Sequence, residues 1–581
     1  MTDIADTAPR ADAGEKGAAA YRRAHRSDLA ARGEPFLWGM GGALAFGIVM
    51  IAGFVAMILW FGLTTFWPKP IEVVTLASGK VIAGEPLRSE TYRPTPQQLA
   101  PESEAVKAAV AANQGLATRT LYRIGNYDFY AEDFRWVPDY QVAKTERPAD
   151  LVLVERQEWG VFIGHVDAVD LDGRRVSGDD LSGPALSEAL KAALARRARL
   201  KEIEHGSIAD VNRAIEAERL RARRAIIDHG ADSPKELEIR ADVARRTAEL
   251  QASYAGLEAE AQALKAEDAR FTITYREIGG ATKAYPLSSV VRFYAPNSQG
   301  FGAALAVYGS RWAEYVSAEP REANTEGGVF PAIFGTVVMT LVMSLLVAPF
   351  GVVTALYLRE YAKQGRIVSI VRISVNNLAG VPSIVYGVFG LGFFAYILGG
   401  GIDALFFPER LPSPTFGTGG LLWSALTLAL LTVPVVIVAT EEALAAVPRS
   451  MREGSLACGA SKWQTIRHIV LPRAAPGIMT GLILAMARGA GEVAPLMLVG
   501  VVKLAPELPF DLNWPFVHLE RSFMHLGFHI YDVGFQSRNS EAGRPMVFVT
   551  TLLLILIVLV LNVAAIVIRN RLKRRFQGSQ F

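Results

Sequence analysis

Six stretches of this chain are apolar for longer than a globular core helix requires. The first, from Leu37 to Phe66, is almost uncharged. Five more lie near 330–358, 374–399, 419–440, 474–501 and 546–568. A helix crossing the roughly 30 Å hydrocarbon layer needs about 20 such residues. Inside lipid every backbone polar group must be bonded within the chain, so runs of this kind fold as helices. The expected fold is therefore mainly α, a polytopic membrane protein with six transmembrane helices. Of the 581 residues, 51% are hydrophobic, too many for a soluble chain of this size. The net charge of +3 points to no nucleic-acid partner, and none is expected.

Lysine and arginine set the orientation, because they collect in cytoplasmic loops. The first 35 residues carry Arg22, Arg23, Arg26 and Arg32 and read as a disordered cytoplasmic tail. Arg359, Lys363, Arg366 and Arg372 follow the second run, Arg449 to Arg467 the fourth, and Arg569 to Arg575 the sixth. All fall on one side. The segment 400–418 has only Arg410, and 502–545 is sparse in bases for its length. Both termini, with 576–581 as a second short tail, are thus expected in the cytoplasm.

Residues 67–327 then lie outside the cytoplasm, and they are too many for a loop. Ile71-Glu72-Val73-Val74 and Leu151-Val152-Leu153-Val154 read as strands, as do 271–276 and 289–294, with a helix near 300–317 returning to the membrane. Between them, about 185–269 is charged and alanine-rich. Val243, Thr247, Leu250, Tyr254, Leu257, Ala261 and Leu264 keep a four-three spacing, the seam of a coiled coil. Ser233-Pro234-Lys235-Glu236 is a capping box with proline at the first helical position, directly after a break at His229-Gly230. This predicts a mixed α/β extracytoplasmic domain carrying an antiparallel helical hairpin, either a docking arm or a spacer.

Two places carry candidate chemistry. The loop 441–473 contains EGSLACGASKWQTIRHIVLP, in which Glu453 precedes Gly459 by six residues and Leu471-Pro472 closes the segment. Short amphipathic helices flanking a glycine would fold as a bent pair. In the fifth run, Arg488 and Glu492 stand four apart near the middle of a bilayer-crossing stretch, on one face of a helix. Charges there are costly and mark pathways by default. The arginine fork suits a tetrahedral oxyanion. A carboxylate beside it can accept the proton that phosphate carries and sulfate lacks. The plainer alternative is an ion pair that only neutralises the helix.

The Glu453 loop resembles the EAA loop of ABC importer permeases, E-A-A-x3-G-x9-I-x-L-P. With NLAGVPSIVYGVFGLGFF at 377–394 and ARGAGEVAPL at 487–496, the core 36–66 and 328–575 resembles the PstA-type phosphate permeases. The resemblance implies a type I ABC importer permease core that translocates inorganic phosphate across the bacterial inner membrane. Its implied partners are an ABC ATPase dimer, a PstC-type permease subunit and an extracytoplasmic phosphate-binding protein. It assigns ATPase coupling to Glu453, Gly459, Leu471 and Pro472, and the substrate pathway to Arg488 and Glu492. Two departures stand out: Gly454-Ser455 replaces Ala-Ala, and Val493 stands where threonine is commoner. Sulfate or molybdate remains an alternative cargo, and a receptor with a coiled-coil sensing domain an alternative class. No phosphate-binding loop is present, since Gly79-Lys80 is followed by valine, so ATP hydrolysis is expected from a partner and not from this chain. No cofactor or metal is expected. His525 and His529 are four apart but lack a third ligand and read as surface or packing histidines. His205 and His229 read as solvated. Cys458 is the sole cysteine, so no internal disulfide can form.

Overall fold

The computed structural model describes residues 34–177, 184–505, 507–511, 514, 516–537 and 540–577. The tail expected over 1–35 lies, up to residue 33, outside the described residues, as do 578–581. The chain forms two units, Met1–Leu63 and Thr64–Phe581. The described part of the first is one apolar helix, Glu34–Thr64, whose last residue opens the second unit.

Among the described residues six helices are long and apolar enough to span a membrane. The five in the second unit are Phe330–Tyr361, Ser383–Phe406, Leu421–Ala445, Lys462–Gly491 and Glu541–Arg571. The third and fifth differ from the expected 374–399 and 474–501. Arg366–Leu378 is a separate helix, and the third span starts only at Ser383, behind Gly380 and Pro382. Proline disfavours helical backbone in the residue before it, so the break falls there. The fifth span begins 12 residues early, at Lys462, and stops at Gly491. Apolarity marks membrane depth, whereas the helix itself runs on through Arg467 and Arg473.

The spans pack through Met339, Met343 and Val347 of the second, Leu421 and Leu428 of the fourth and Ala485 of the fifth. Gly477 and Gly481 bring the fifth helix against the fourth. A Cβ on either would sit 2.5 Å from the Cβ of Ala443 or Ala439. Such small-residue contacts let membrane helices approach closely, and a larger residue here would separate them.

Residues 72–294 supply two antiparallel sheets. The first orders β4 (Phe134–Pro138), β3 (Ala117–Arg123), β2 (Val81–Tyr92), β1 (Glu72–Leu76) and β5 (Val142–Glu146). The second orders β10 (Thr282–Pro286), β9 (Phe271–Arg276), β7 (Val161–Leu171), β6 (Val152–Arg156) and β11 (Val290–Tyr294), with β8 (Arg174–Val176) on β7. Strand alternation explains how the second sheet is covered on both faces. Leu153 and Ile163 point to a core shared with Ile71, Val73 and Ala83 of the first sheet region. Val154 and Phe162 point the other way, onto Ala193 and Leu190 of a helix.

That helix is the root of the hairpin. Its first arm runs Pro184–Lys201, through a π-helical segment Glu202–Ser207, into Ile208–His229. The second arm is Pro234–Asp268. The Ser233 hydroxyl accepts from the Glu236 N–H at 3.2 Å, capping its start. All seven seam residues from Val243 to Leu264 are buried or half-buried, while most of their neighbours are exposed. Arg221–Asp242 (2.8 Å) and Lys265–Glu204 (2.7 Å) cross between the arms. The hairpin does not project freely. Arg213 pairs with Glu507 at 2.5 Å and Arg224 with Glu409 at 3.4 Å, so the first arm lies on the loops after the third and fifth spans.

The helix Phe301–Ser317 returns the chain to the second span. Glu155 of β6 pairs with Arg292 of β11 and, at 2.6 Å, with Arg311 of this helix. Arg311 also donates to the Tyr294 hydroxyl at 2.5 Å and the Phe66 carbonyl at 3.0 Å. Sheet, returning helix and the segment after the first span are therefore tied at one buried charge cluster.

Candidate functional site

The loop around Glu453 is a bent pair of helices, as its spacing suggests. Arg449–Ala457 ends at Cys458, and Gly459 turns the chain with φ at +84°. A residue with a side chain is strained in that left-handed conformation. Ser461 then caps the next helix, accepting from the Gln464 N–H at 3.2 Å while Gln464 accepts from the Ser461 N–H at 2.8 Å. The second helix is not short. Leu471 and Pro472 lie inside one continuous helical run from Lys462 into the fifth span, with Pro472 in the first turn of Leu471–Gly491.

Packing ties this bend to three spans. Ile466, Val470 and Ala474 share a core with Leu356 of the second span, Leu444 of the fourth, and Val447 beyond it. Arg452, not singled out from sequence, is the polar counterpart. Its guanidinium donates to the Leu444 carbonyl at 2.6 Å and the Val447 carbonyl at 3.0 Å, and pairs with Glu360 at 3.0 Å. The last carbonyls of a helix lack intrahelical partners, and a cation there satisfies them. Glu453 itself is exposed, as are Leu456 and Trp463 on either side of Gly459.

Arg488 and Glu492 form an ion pair at 3.7 Å, with side chains 36% and 23% exposed. They do not share a helical face. Arg488 lies in the last turn of the fifth span. Glu492 lies beyond its end, in extended conformation with ψ at 131°. Gly489, Gly491 and Pro495 explain the break: two weak helix formers, then a residue without an N–H. The chain restarts as the short helix Ala494–Val499 after Val493. A cation in the last turn is favoured by the helix dipole. Gly489 also lies close to Met343 of the second span, where a Cβ would come within 2.7 Å of Cε.

His525 and His529 are not surface residues. Both are about 1% exposed, around the helix Leu526–Tyr531. Neither His529 ring nitrogen has a partner, and nearby Asp532 accepts from Asn324 and pairs with Lys503, each at 3.1 Å. Burial pushes each histidine down to about 4. Among the described residues no group of three or more His, Cys, Asp or Glu could hold a metal ion. His205 and His229 are exposed.

Six apolar helices, a bent loop packed against three of them and a charged break just past the fifth describe a multi-pass membrane protein. Residues 348–578 match the family described as binding-protein-dependent transport system inner membrane component. The phosphate transport system permease protein PstA 1 of Mycobacterium tuberculosis is 38% identical over 251 residues, 43% of this chain and 73% of that protein. The probable ABC transporter permease YqgH of Bacillus subtilis is 35% identical over 195 residues, 33% of this chain but only 59% of that relative's length. A solved MetNI methionine ABC transporter structure is similar over 42% of this chain and 94% of its own, at 19% identity and a TM-score of 0.31. The chain belongs to the binding-protein-dependent transport inner membrane components and is an ABC importer permease subunit, not itself an enzyme. Residues 67–327 lie outside the family match and are an extra region.

Proposed function

We propose that this subunit translocates inorganic phosphate by alternating access, driven by a separate ATPase dimer at the Glu453 loop. Arg488 and Glu492 would line the pathway. The observation that carries this is the charged helix break at the end of the fifth span: irregular backbone that reaches into a membrane persists where it lines a cavity, and a partly exposed ion pair in such a place is a pathway candidate. Relatedness to a protein named for phosphate transport favours that cargo over sulfate or molybdate. Arg488 supplies the oxyanion fork, and Glu492 accepts a hydrogen bond from the protonated oxygen that phosphate carries and sulfate lacks. On the other side of the membrane from the ATPase, residues 67–327 would meet a phosphate-binding protein. A PstC-type subunit would complete the pathway.

Gly459 permits the bend, Leu471 and Pro472 lie within the continuous helix that would carry movement upward, and Glu453 would face the ATPase. Reconstitution with candidate ATPase and PstC-type subunits tests the reading, measuring ATP-dependent phosphate uptake with sulfate and molybdate as competitors. Glu492→Gln is expected to erode discrimination between phosphate and sulfate. Unchanged discrimination removes the carboxylate from the mechanism. Cys458 is exposed, so an impermeant thiol reagent on intact cells should leave it unlabelled; labelling reverses the orientation.

A further inference from the structure

The inserted domain contains a cavity of about 640 Å³ where the hairpin root, the edge of the second sheet and the segment before the second span meet. Its wall is unbalanced in hydrogen bonding. Nη2 of Arg196 and Nε of Arg321 are buried without an acceptor, and Nε of Arg196 faces only Asp268 Oδ1, at 3.6 Å, beyond hydrogen-bond reach. Arg196 is held in place by stacking on Phe271, 4.1 Å from the ring centre. Its nearest carboxylates, Glu267 and Asp268, stand off at 3.5 and 3.6 Å. Beside it Arg197 has only a 3.5 Å contact to the Ser288 carbonyl. Burial and the neighbouring Arg321 charge pull that guanidinium below its ordinary value.

The acids on the wall are mostly committed elsewhere. Glu319 holds Lys201 at 2.5 Å, Glu204 holds Lys265 at 2.7 Å, and Glu314 holds both Arg292 and Arg321. Glu158 is exposed and solvated. A buried donor left unpaired costs free energy, so a wall that keeps two, with a third held only by a long ion pair, is complementary to something rich in acceptors. Guanidinium forks match tetrahedral oxyanions. The volume falls in the range of about 300–1,000 Å³ typical of small organic ligands and exceeds what a bare oxyanion fills.

We propose that this cavity binds a soluble phosphomonoester, its phosphate on Arg197 with Arg196 and Arg321 as further donors and its organic part in the remaining space. The site touches the hairpin root and Pro320-Arg321, ten residues before the second span begins at Phe330. A bound ligand would brace these elements together. The proposal does not depend on which ion crosses the membrane.

Calorimetric titration of the full chain in detergent tests it, using glycerol 3-phosphate, inorganic phosphate and glycerol. Glycerol 3-phosphate should bind at least tenfold more tightly than inorganic phosphate, and glycerol not at all. Arg197→Gln should weaken the ester at least tenfold, with Arg197→Lys, which keeps charge but not the fork, falling between. Arg488→Gln should leave ester binding unchanged, which separates this site from the transport pathway. No ester binding, equal binding of inorganic phosphate in the Arg488→Gln protein, or binding indifferent to both Arg197 variants would overturn the proposal.

Discussion

Glu155 shows how much a single buried charge can hold. Burial alone would push its carboxyl up, but Arg311 and Arg292 outweigh that and keep it below the usual carboxylate range. Removing one partner of a buried pair strands the others, at about 3–5 kcal/mol. Glu155→Gln is therefore expected to destabilise the inserted domain by that order, read as an earlier thermal transition. A depressed carboxylate contributes stability above its unfolded value, and that contribution is lost as pH falls through the lower folded value. The variant should lose this part of the acid response. His525 and His529 act at higher pH. Each is held near 4 against an ordinary 6.5, so between these values the unfolded chain binds more protons than the folded one. Stability should fall as pH drops from 6.5 toward 4, by on the order of 3 kcal/mol per histidine. Asp532 opposes and Lys503 reinforces the shift of His529. A transition temperature that stays flat across this window, in protein with both histidines intact, contradicts their buried neutral state.

At the scale of elements, Gly459 and Gly454 make a matched pair. Gly459 turns the chain with φ at +84°, whereas Gly454 sits inside Arg449–Ala457 with open space where a Cβ would go. Gly459→Ala forces a left-handed alanine, costing about 1–2 kcal/mol, and should tilt one helix against the other. Gly454→Ala should stiffen its helix by up to about 1 kcal/mol. In the reconstituted complex the first is expected to lower phosphate taken up per ATP hydrolysed, and the second to leave that ratio intact. Equal ratios would detach the bend from coupling. What the sequence made readable at this scale was periodic or capped. The seam from Val243 to Leu264, the Ser233 cap and the strand Phe271–Arg276 stand where their patterns put them. Features set by distant partners stayed hidden. Arg452 caps a neighbouring span's carbonyls and pairs with a residue 92 positions away, which no local spacing encodes. Gly489, Gly491 and Pro495 mark a weak point around Arg488 in the sequence, but that the helix ends at Gly491 did not show, because apolarity continues across it. The helix Glu104–Ala112 went unread despite its Ser103 cap, because Val110 is its only buried residue and leaves no apolar stripe.

Across the molecule, the hairpin's first arm joins two loops that belong to different pairs of spans. Arg213 reaches Glu507, which also holds Arg521 at 2.8 Å, and Arg224 reaches Glu409 and the Phe406 carbonyl, both at 3.4 Å. The two arginines are eleven residues apart on one helix, about 16 Å at 1.5 Å per residue. The arm is thus a strut that fixes the spacing of the loops after the third and fifth spans. If the proposed alternating access parts these loops, one end must let go in each cycle. The Arg213–Glu507 pair is half-exposed, of a kind worth about 1 kcal/mol or less, and the buried Glu409 holds the exposed Arg224 only at 3.4 Å, so either end can release. In a Cys458→Ser background, Arg213→Cys with Glu507→Cys and Arg224→Cys with Glu409→Cys place one thiol pair at each end for a short bifunctional reagent. Crosslinking either end alone should leave phosphate uptake within about twofold of the uncrosslinked protein, because the other end can still release. Crosslinking both should abolish uptake, with recovery when a cleavable reagent is reduced. Full uptake with both ends closed would mean that the loops keep their spacing through the cycle and that the arm stands on the permease without taking part in its motion.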